Sequence, residues 1–192
     1  KYLEEETLSD EEIARGLTAA VASGEVFPVL AGSALHNVGV PLLLDTIVRT
    51  APSPAGRTLQ IDNTSDETTE RSIDSSTPTS ALVIKTSVDQ YAGRLSFVKV
   101  ITGALRSDTE LVCARTGSKL RPTKLGTRQL ESIEDVQELE AGDIGVLTKL
   151  NDVATSDTLH APEEVTIFTP PDFPEPVHAI ALSTTAKQDE DK

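Results

Sequence analysis

Between Ser80 and Phe168 the chain repeats one pattern: a few alternating apolar and polar residues, then a turn built on Gly, Asp or Ser. Alternation is present in Ser80 to Ser87, Leu95 to Ile101, Glu110 to Ala114, Lys119 to Leu125, Ile144 to Lys149 and Val165 to Phe168. Tyr91-Ala92-Gly93, Thr102-Gly103, Arg106-Ser107-Asp108, Thr116-Gly117-Ser118 and Ala141-Gly142-Asp143 separate these runs. A period of two residues puts one side of each run against a core. Several short strands at close spacing then predict a closed or nearly closed antiparallel β-barrel. Aromatic residues make up 3% of the chain, and Trp and Met are absent, so the core must be built from Val, Leu, Ile and Ala. Cys113 lies in an apolar run and reads as a small buried hydrophobe. One cysteine allows no internal disulfide, and with three scattered histidines it offers no four-ligand zinc set.

Upstream the periodicity changes. Ser9 and Glu12 have capping-box spacing. Ile13, Leu17, Ala20 and Val21 then recur at helical steps until Gly24, so a helix is expected there. Val26 to Ala31 reads as a buried strand, with Pro28 as an irregularity. Gly32-Ser33-Ala34 is a loop, and a second helix is expected from Gly39 to Thr50, stopped by Pro52 and Pro54. Helix, strand, loop and helix resemble the last units of an open α/β sheet, whose other strands are expected upstream. From 54 to 78 only Leu59, Ile61 and Ile73 are large and apolar, which predicts a mobile linker. After Phe173-Pro174-Glu175-Pro176, Val177 to Leu182 reads as one more strand, belonging to a further domain.

Charge narrows the partners. The net charge is −14, yet Arg94, Lys99, Arg106, Arg115, Lys119, Arg121, Lys124 and Arg128 are opposed in their segment only by Asp108 and Glu110. A locally basic stretch suits phosphate contacts even on an acidic chain. No apolar run approaches the roughly 20 residues of a membrane span, and the acidic start lacks the pattern of a signal peptide. A cytoplasmic protein without membrane partners is expected.

Several blocks resemble elongation factor G. They are Ser80 to Lys85, Tyr91-Ala92-Gly93-Arg94-Leu95 running into Ile101-Thr102-Gly103, Ala141-Gly142-Asp143-Ile144, and Ser156-Asp157-Thr158-Leu159. Their order and spacing are similar to those of that family's second domain. Pro28 to Leu35, with Asn37 and Gly39, looks like its fifth guanine-nucleotide motif, and Phe173 to Val177 resembles the passage into domain III. The sequence departs at Lys99 (usually Arg), Ile101 (usually aromatic), Asp108 (often Gly) and Ser156 (usually Gly). The subfamily therefore stays open between an elongation factor G, a divergent paralogue and a ribosomal protection protein of the tetracycline-resistance type.

The resemblance implies a mainly β fold: a translation-factor domain II barrel preceded by a helix-strand-helix remnant of an α/β G domain. It divides the chain into a G-domain end (1–53), a linker (54–78), the barrel (79–172) and the start of domain III (173–192). It implies that Ser33, Ala34 and Leu35 present backbone N–H groups to guanine in the parent protein. It also implies that the barrel touches small-subunit ribosomal RNA, with Arg94, Lys119, Arg121, Lys124 and Arg128 as the candidate contacts, and packs in cis on the remaining G domain and domain III. GTP and magnesium belong to the parent. The phosphate loop, the Asp-x-x-Gly and the Asn-Lys-x-Asp that nucleotide hydrolysis needs are absent here, so this chain is expected to be noncatalytic and to hold no cofactor. A stand-alone oligonucleotide-binding barrel is disfavoured because Tyr91 and Phe97 are the only aromatics between Ser80 and Gly145.

Overall fold

The computed structural model describes residues 7–55, 57–62, 68–89, 93–130, 132–150 and 152–181. Tyr91 and Ala92 of the expected turn, the acidic start before Thr7 and the tail after 181 lie outside that set.

Two helices open the described chain. In α1 (Asp10–Ala22) the Ser9 hydroxyl accepts from the Glu12 N–H, and the Glu12 carboxylate accepts from the Ser9 N–H. This reciprocal pair satisfies two of the donors that a helix start leaves open. Gly24, at φ +76, turns the chain out while the Glu25 and Val26 amides bond back to the Ala20 carbonyl. α2 (Val40–Thr50) follows Gly39, which has φ +75; a Cβ there would lie 2.8 Å from the Ala31 carbonyl oxygen. Thr18 Oγ1 donates to the Arg49 carbonyl and ties α1 to α2. The run from Val26 to Ala31 corrects the expected buried strand. It has no regular structure, and Phe27 and Val29 are 79% and 94% exposed. β-prone residues become a strand only when a neighbour accepts their ladder bonds, and no described residue does so here.

Within the expected linker, β1 (Thr58–Asp62) and β2 (Thr68–Ser72) pair antiparallel, Leu59 opposite Arg71 and Gln60 opposite Glu70. The few apolar residues suffice because each is used. Ile61 and Ile73 are buried with Ile101 and Phe168, and Leu59 packs against them. Arg71 also forms an ion pair with Glu164.

The remaining strands are β3 (Ser80–Asp89), β4 (Gly93–Thr102), β5 (Ala104–Arg106), β6 (Leu111–Cys113), β7 (Lys119–Leu120), β8 (Leu125–Gln129), β9 (Ser132–Asp135), β10 (Glu138–Glu140), β11 (Ile144–Thr148) and β12 (Thr158–His160). Eight of them form one antiparallel sheet in the order β7-β6-β12-β3-β4-β11-β8-β9, and β5 pairs with β10. The ladder is not hydrogen-bonded shut among the described residues, but it curls strongly. Leu120 and Leu125 are five residues apart, a reach of at most about 18 Å. Six strand spacings separate β7 from β8 in the sheet order, about 29 Å if the sheet were flat. Only a curled sheet joins them. Inside it lies a Val and Leu core with Val83, Val98, Val100, Leu105, Leu111 and Leu159 each fully buried.

Three further strands differ from expectation. The run Lys119 to Leu125 is broken after Leu120. Pro122 has no N–H for a ladder, and its carbonyl instead accepts from the Asp108 amide at 2.9 Å. Val165 to Phe168 contributes a single bridge, Phe168 to Ile61, and residues 177–181 form no strand.

Candidate functional site

The five candidate contacts fall into three settings. On the β6–β7 hairpin, Lys119 Nζ and Arg121 Nη2 both reach the Glu110 carboxylate, at 2.8 and 2.6 Å. Hydrogen bonds from Arg121 and then Lys119 hold the Glu110 carboxyl at about 2, well below the ordinary range. Two cations share this one carboxylate, and Asp108 adds a second negative charge near Arg121. Lys124 lies 3.9 Å from Asp135, both side chains being well exposed. A pair this long and this wet adds little.

Arg94 and Arg128 are held differently. Arg94 Nη2 donates to the Val153 carbonyl at 2.7 Å, and Arg128 Nε donates to the Leu130 carbonyl at 2.9 Å. A carbonyl orients a guanidinium without cancelling its charge, and the described residues supply no carboxylate to either one. The structure thus brings Lys119 and Arg121 together around Glu110, whereas Arg94, Lys124 and Arg128 each have separate local partners.

Nothing in the sequence singles out Arg115 among these cations. Its Nε and Nη2 grip the two carboxylate oxygens of buried Asp157 at 2.7 and 2.8 Å, and Nη2 also donates to the Asp152 carbonyl at 3.0 Å. Asp157 further accepts from the Ala154 amide at 2.8 Å and from the Cys113 thiol at 3.5 Å. Burial pushes the Asp157 carboxyl up, but the Arg115 guanidinium, the Ala154 N–H and the Cys113 thiol together outweigh it and leave it below its usual value. Asp157 thereby clasps the loop before β12 to the end of β6. Its signal is the Asp of Ser156-Asp157-Thr158-Leu159, though nothing in the sequence names its partner. Arg94 and Arg115 then line one groove of about 280 Å³, with Thr116, Ser118 and the 152–154 loop as its other walls.

The expected guanine loop forms a tight turn closed by a bridge between Ser33 and Val38. The Ser33 amide is spent on the Val38 carbonyl, and the His36 amide donates to the Ser33 hydroxyl. Among the described residues the Ala34 and Leu35 amides donate to no partner, so these two fit a carbonyl acceptor and Ser33 N–H does not. Leu35 is 89% exposed. A pocket of about 170 Å³ opens beside the turn, against Leu30, Ala31 and Leu43. No cluster of three or more His, Cys, Asp or Glu among the described residues is arranged to hold a metal.

Residues 78–161 match the family model described as elongation factor G domain 2. Over these residues the match is to a domain of the elongation factor G family. Domain 2 is a noncatalytic domain of that family. The crystal structure of a protein from Thermus thermophilus is similar with a TM-score of 0.64 and 24% identity, over 86% of this chain. At that identity the likeness is one of fold. This chain spans 22% of the length of that protein.

Within domain 2, two of the departures from the family pattern are explained by backbone geometry. Asp108 and Ser156, which stand where Gly is usual, have φ +64 and +73. The left-handed conformation survives while the residue that adopts it most readily is lost. No helix among the described residues is long and apolar enough to cross a membrane.

Proposed function

We propose that this chain is the noncatalytic coupling and ribosome-contact segment of a ribosome-dependent, elongation factor G-like GTPase that acts in translocation. In this reading 1–53 ends the G domain, 79–172 is domain 2 and 173–192 begins domain III. The parent protein holds GTP and magnesium through phosphate-binding segments outside this chain, and Ala34 and Leu35 address the guanine. Domain 2 meets small-subunit ribosomal RNA through sugar-phosphate contacts in the cytoplasm, and packs in cis on the remaining G domain and on domain III.

The observation that carries this reading is the state of the cations on domain 2. Arg94 and Arg128 are oriented by backbone carbonyls, and the Lys119 and Arg121 side chains stay largely exposed while sharing Glu110. Oriented, uncompensated cations suit phosphates, whose neutralisation releases counterions. The test is cosedimentation of the full-length protein with ribosomes across a salt series. Replacing Arg94, Lys119, Arg121, Lys124 and Arg128 by Ala is expected to weaken binding and to flatten the dependence of log affinity on log salt by about 2 or more, given roughly one unit per lost phosphate contact. Equal affinity and an equal slope would refute the assignment.

A further inference from the structure

The two-arginine groove has an apolar neighbour. A second groove, of about 430 Å³, is lined by Ile167, Phe168 and Pro170 and by the residues 155–158, among them Asp157, whose carboxylate is already held by Arg115. Its walls are mostly carbon, and its volume lies in the range that admits small organic ligands. Arg115 and Ala154 line both grooves and form the ridge between them.

The donors on the polar side are fixed and incompletely used. A guanidinium carries five N–H groups. Bonds within the described chain engage Arg115 through Nε and Nη2 only, and Arg94 through Nη2 only. Arg115 Nη1 and Arg94 Nε and Nη1 are therefore left over on side chains whose orientation is already set. Asp157 offsets much of the Arg115 charge, and Asp152 stands exposed at the rim. Arg94 therefore supplies the charge, and Arg115 supplies directed donors. The Thr116 and Ser118 hydroxyls, 2.7 Å apart, add polar lining.

Guanidinium donors on one side of a ridge and a largely apolar slot on the other suit an amphipathic anion. We infer that the paired grooves bind a nucleotide unit, with the phosphate at Arg94 and Arg115 and the base in the slot between Thr155–Thr158 and Ile167–Pro170. The inference does not rest on the ribosome-contact reading, because the site is defined by two grooves of this chain alone. The ligand is a nucleoside monophosphate, either free or as part of a single-stranded RNA.

Titration of the chain with adenosine 5′-monophosphate, followed by amide chemical shifts and without ribosomes, tests it. Shifts are expected at Arg115, Ala154, Thr158 and Phe168 together, with adenosine alone and inorganic phosphate alone each binding at least about tenfold more weakly, since each engages one half of the site. Arg94→Ala is expected to weaken the mononucleotide roughly tenfold while leaving adenosine unchanged. Ile167→Trp, which fills the slot, is expected to abolish the preference for the mononucleotide over phosphate. Unchanged amide positions elsewhere report an intact fold for both variants. A short oligoadenylate that binds more tightly than the mononucleotide identifies an RNA strand as the source of the ligand, and the reverse order identifies a free nucleotide; both support the site. No shift with either, or equal affinity for mononucleotide and inorganic phosphate, overturns it.

Discussion

Asp157 sits almost wholly inside the domain with four groups donating to its carboxylate. Replacing it by Asn removes the charge and one acceptor, leaving the Arg115 guanidinium and the Ala154 amide poorly matched. Losing a partner of a buried ion pair costs about 3–5 kcal/mol; Arg115 is half exposed and regains water, so about 2 kcal/mol is expected in a urea titration of Asp157→Asn. The sign of the pH dependence follows from the lowered carboxyl. Its stabilisation is complete above the unfolded value near 3.9 and is lost as pH falls through the lower folded value. Wild-type stability is therefore expected to decline below about pH 4, and the variant to decline less steeply. Glu110, held at about 2, keeps some acid sensitivity in both proteins. Ser156 offers the opposite case. It holds φ +73, and its buried hydroxyl has no partner among the described residues. A left-handed non-glycine residue costs about 1–2 kcal/mol, against about 0.5–1 kcal/mol for the extra freedom of glycine in the unfolded chain. Ser156→Gly is expected to stabilise the domain by up to about 1 kcal/mol, read as a rise in the urea midpoint at unchanged slope.

At the scale of elements, the β1–β2 hairpin shows what a linear reading weighs wrongly. Three large apolar residues in a polar stretch look too few to order it, because their partners, Ile101 and Phe168, are distant in the chain. Phe168 closes that cluster through a bridge to Ile61. Truncating Phe168 to Ala is expected to cost about 3 kcal/mol and to release the β1 amides to fast hydrogen exchange; unchanged protection there would mean that the hairpin is held by something else. The strands legible in the sequence, β3, β4, β6 and β11, all have alternation that coincides with two-sided pairing. The Val26 to Ala31 run has the right composition and no described partner, so composition misleads there. The helix boundaries are legible because caps are local: Ser9, Glu12, Gly24 and Gly39 act within a turn of where they stand. The clasp between Arg115 and Asp157 is not legible, since 42 residues of chain separate its ends.

For the whole molecule, the overall charge and the proposed contact face point in opposite directions. A net charge of −14 repels a polyanion at long range, and the Debye length of about 8 Å at physiological salt confines that repulsion. In the proposed reading, local cations on domain 2 then decide contact. The N-terminal segment leaves Phe27, Val29, Leu35 and Val48 highly exposed, apolar residues that the proposed division of the chain assigns to the G domain. Backbone footprinting of small-subunit ribosomal RNA tests the ribosome-contact account most directly, comparing the full-length protein with its variant lacking the charges of Arg94, Lys119, Arg121, Lys124 and Arg128. A sugar-phosphate patch protected by the wild type and exposed with the variant is the expected result; identical protection by the two proteins, or none on the small subunit, would contradict the account.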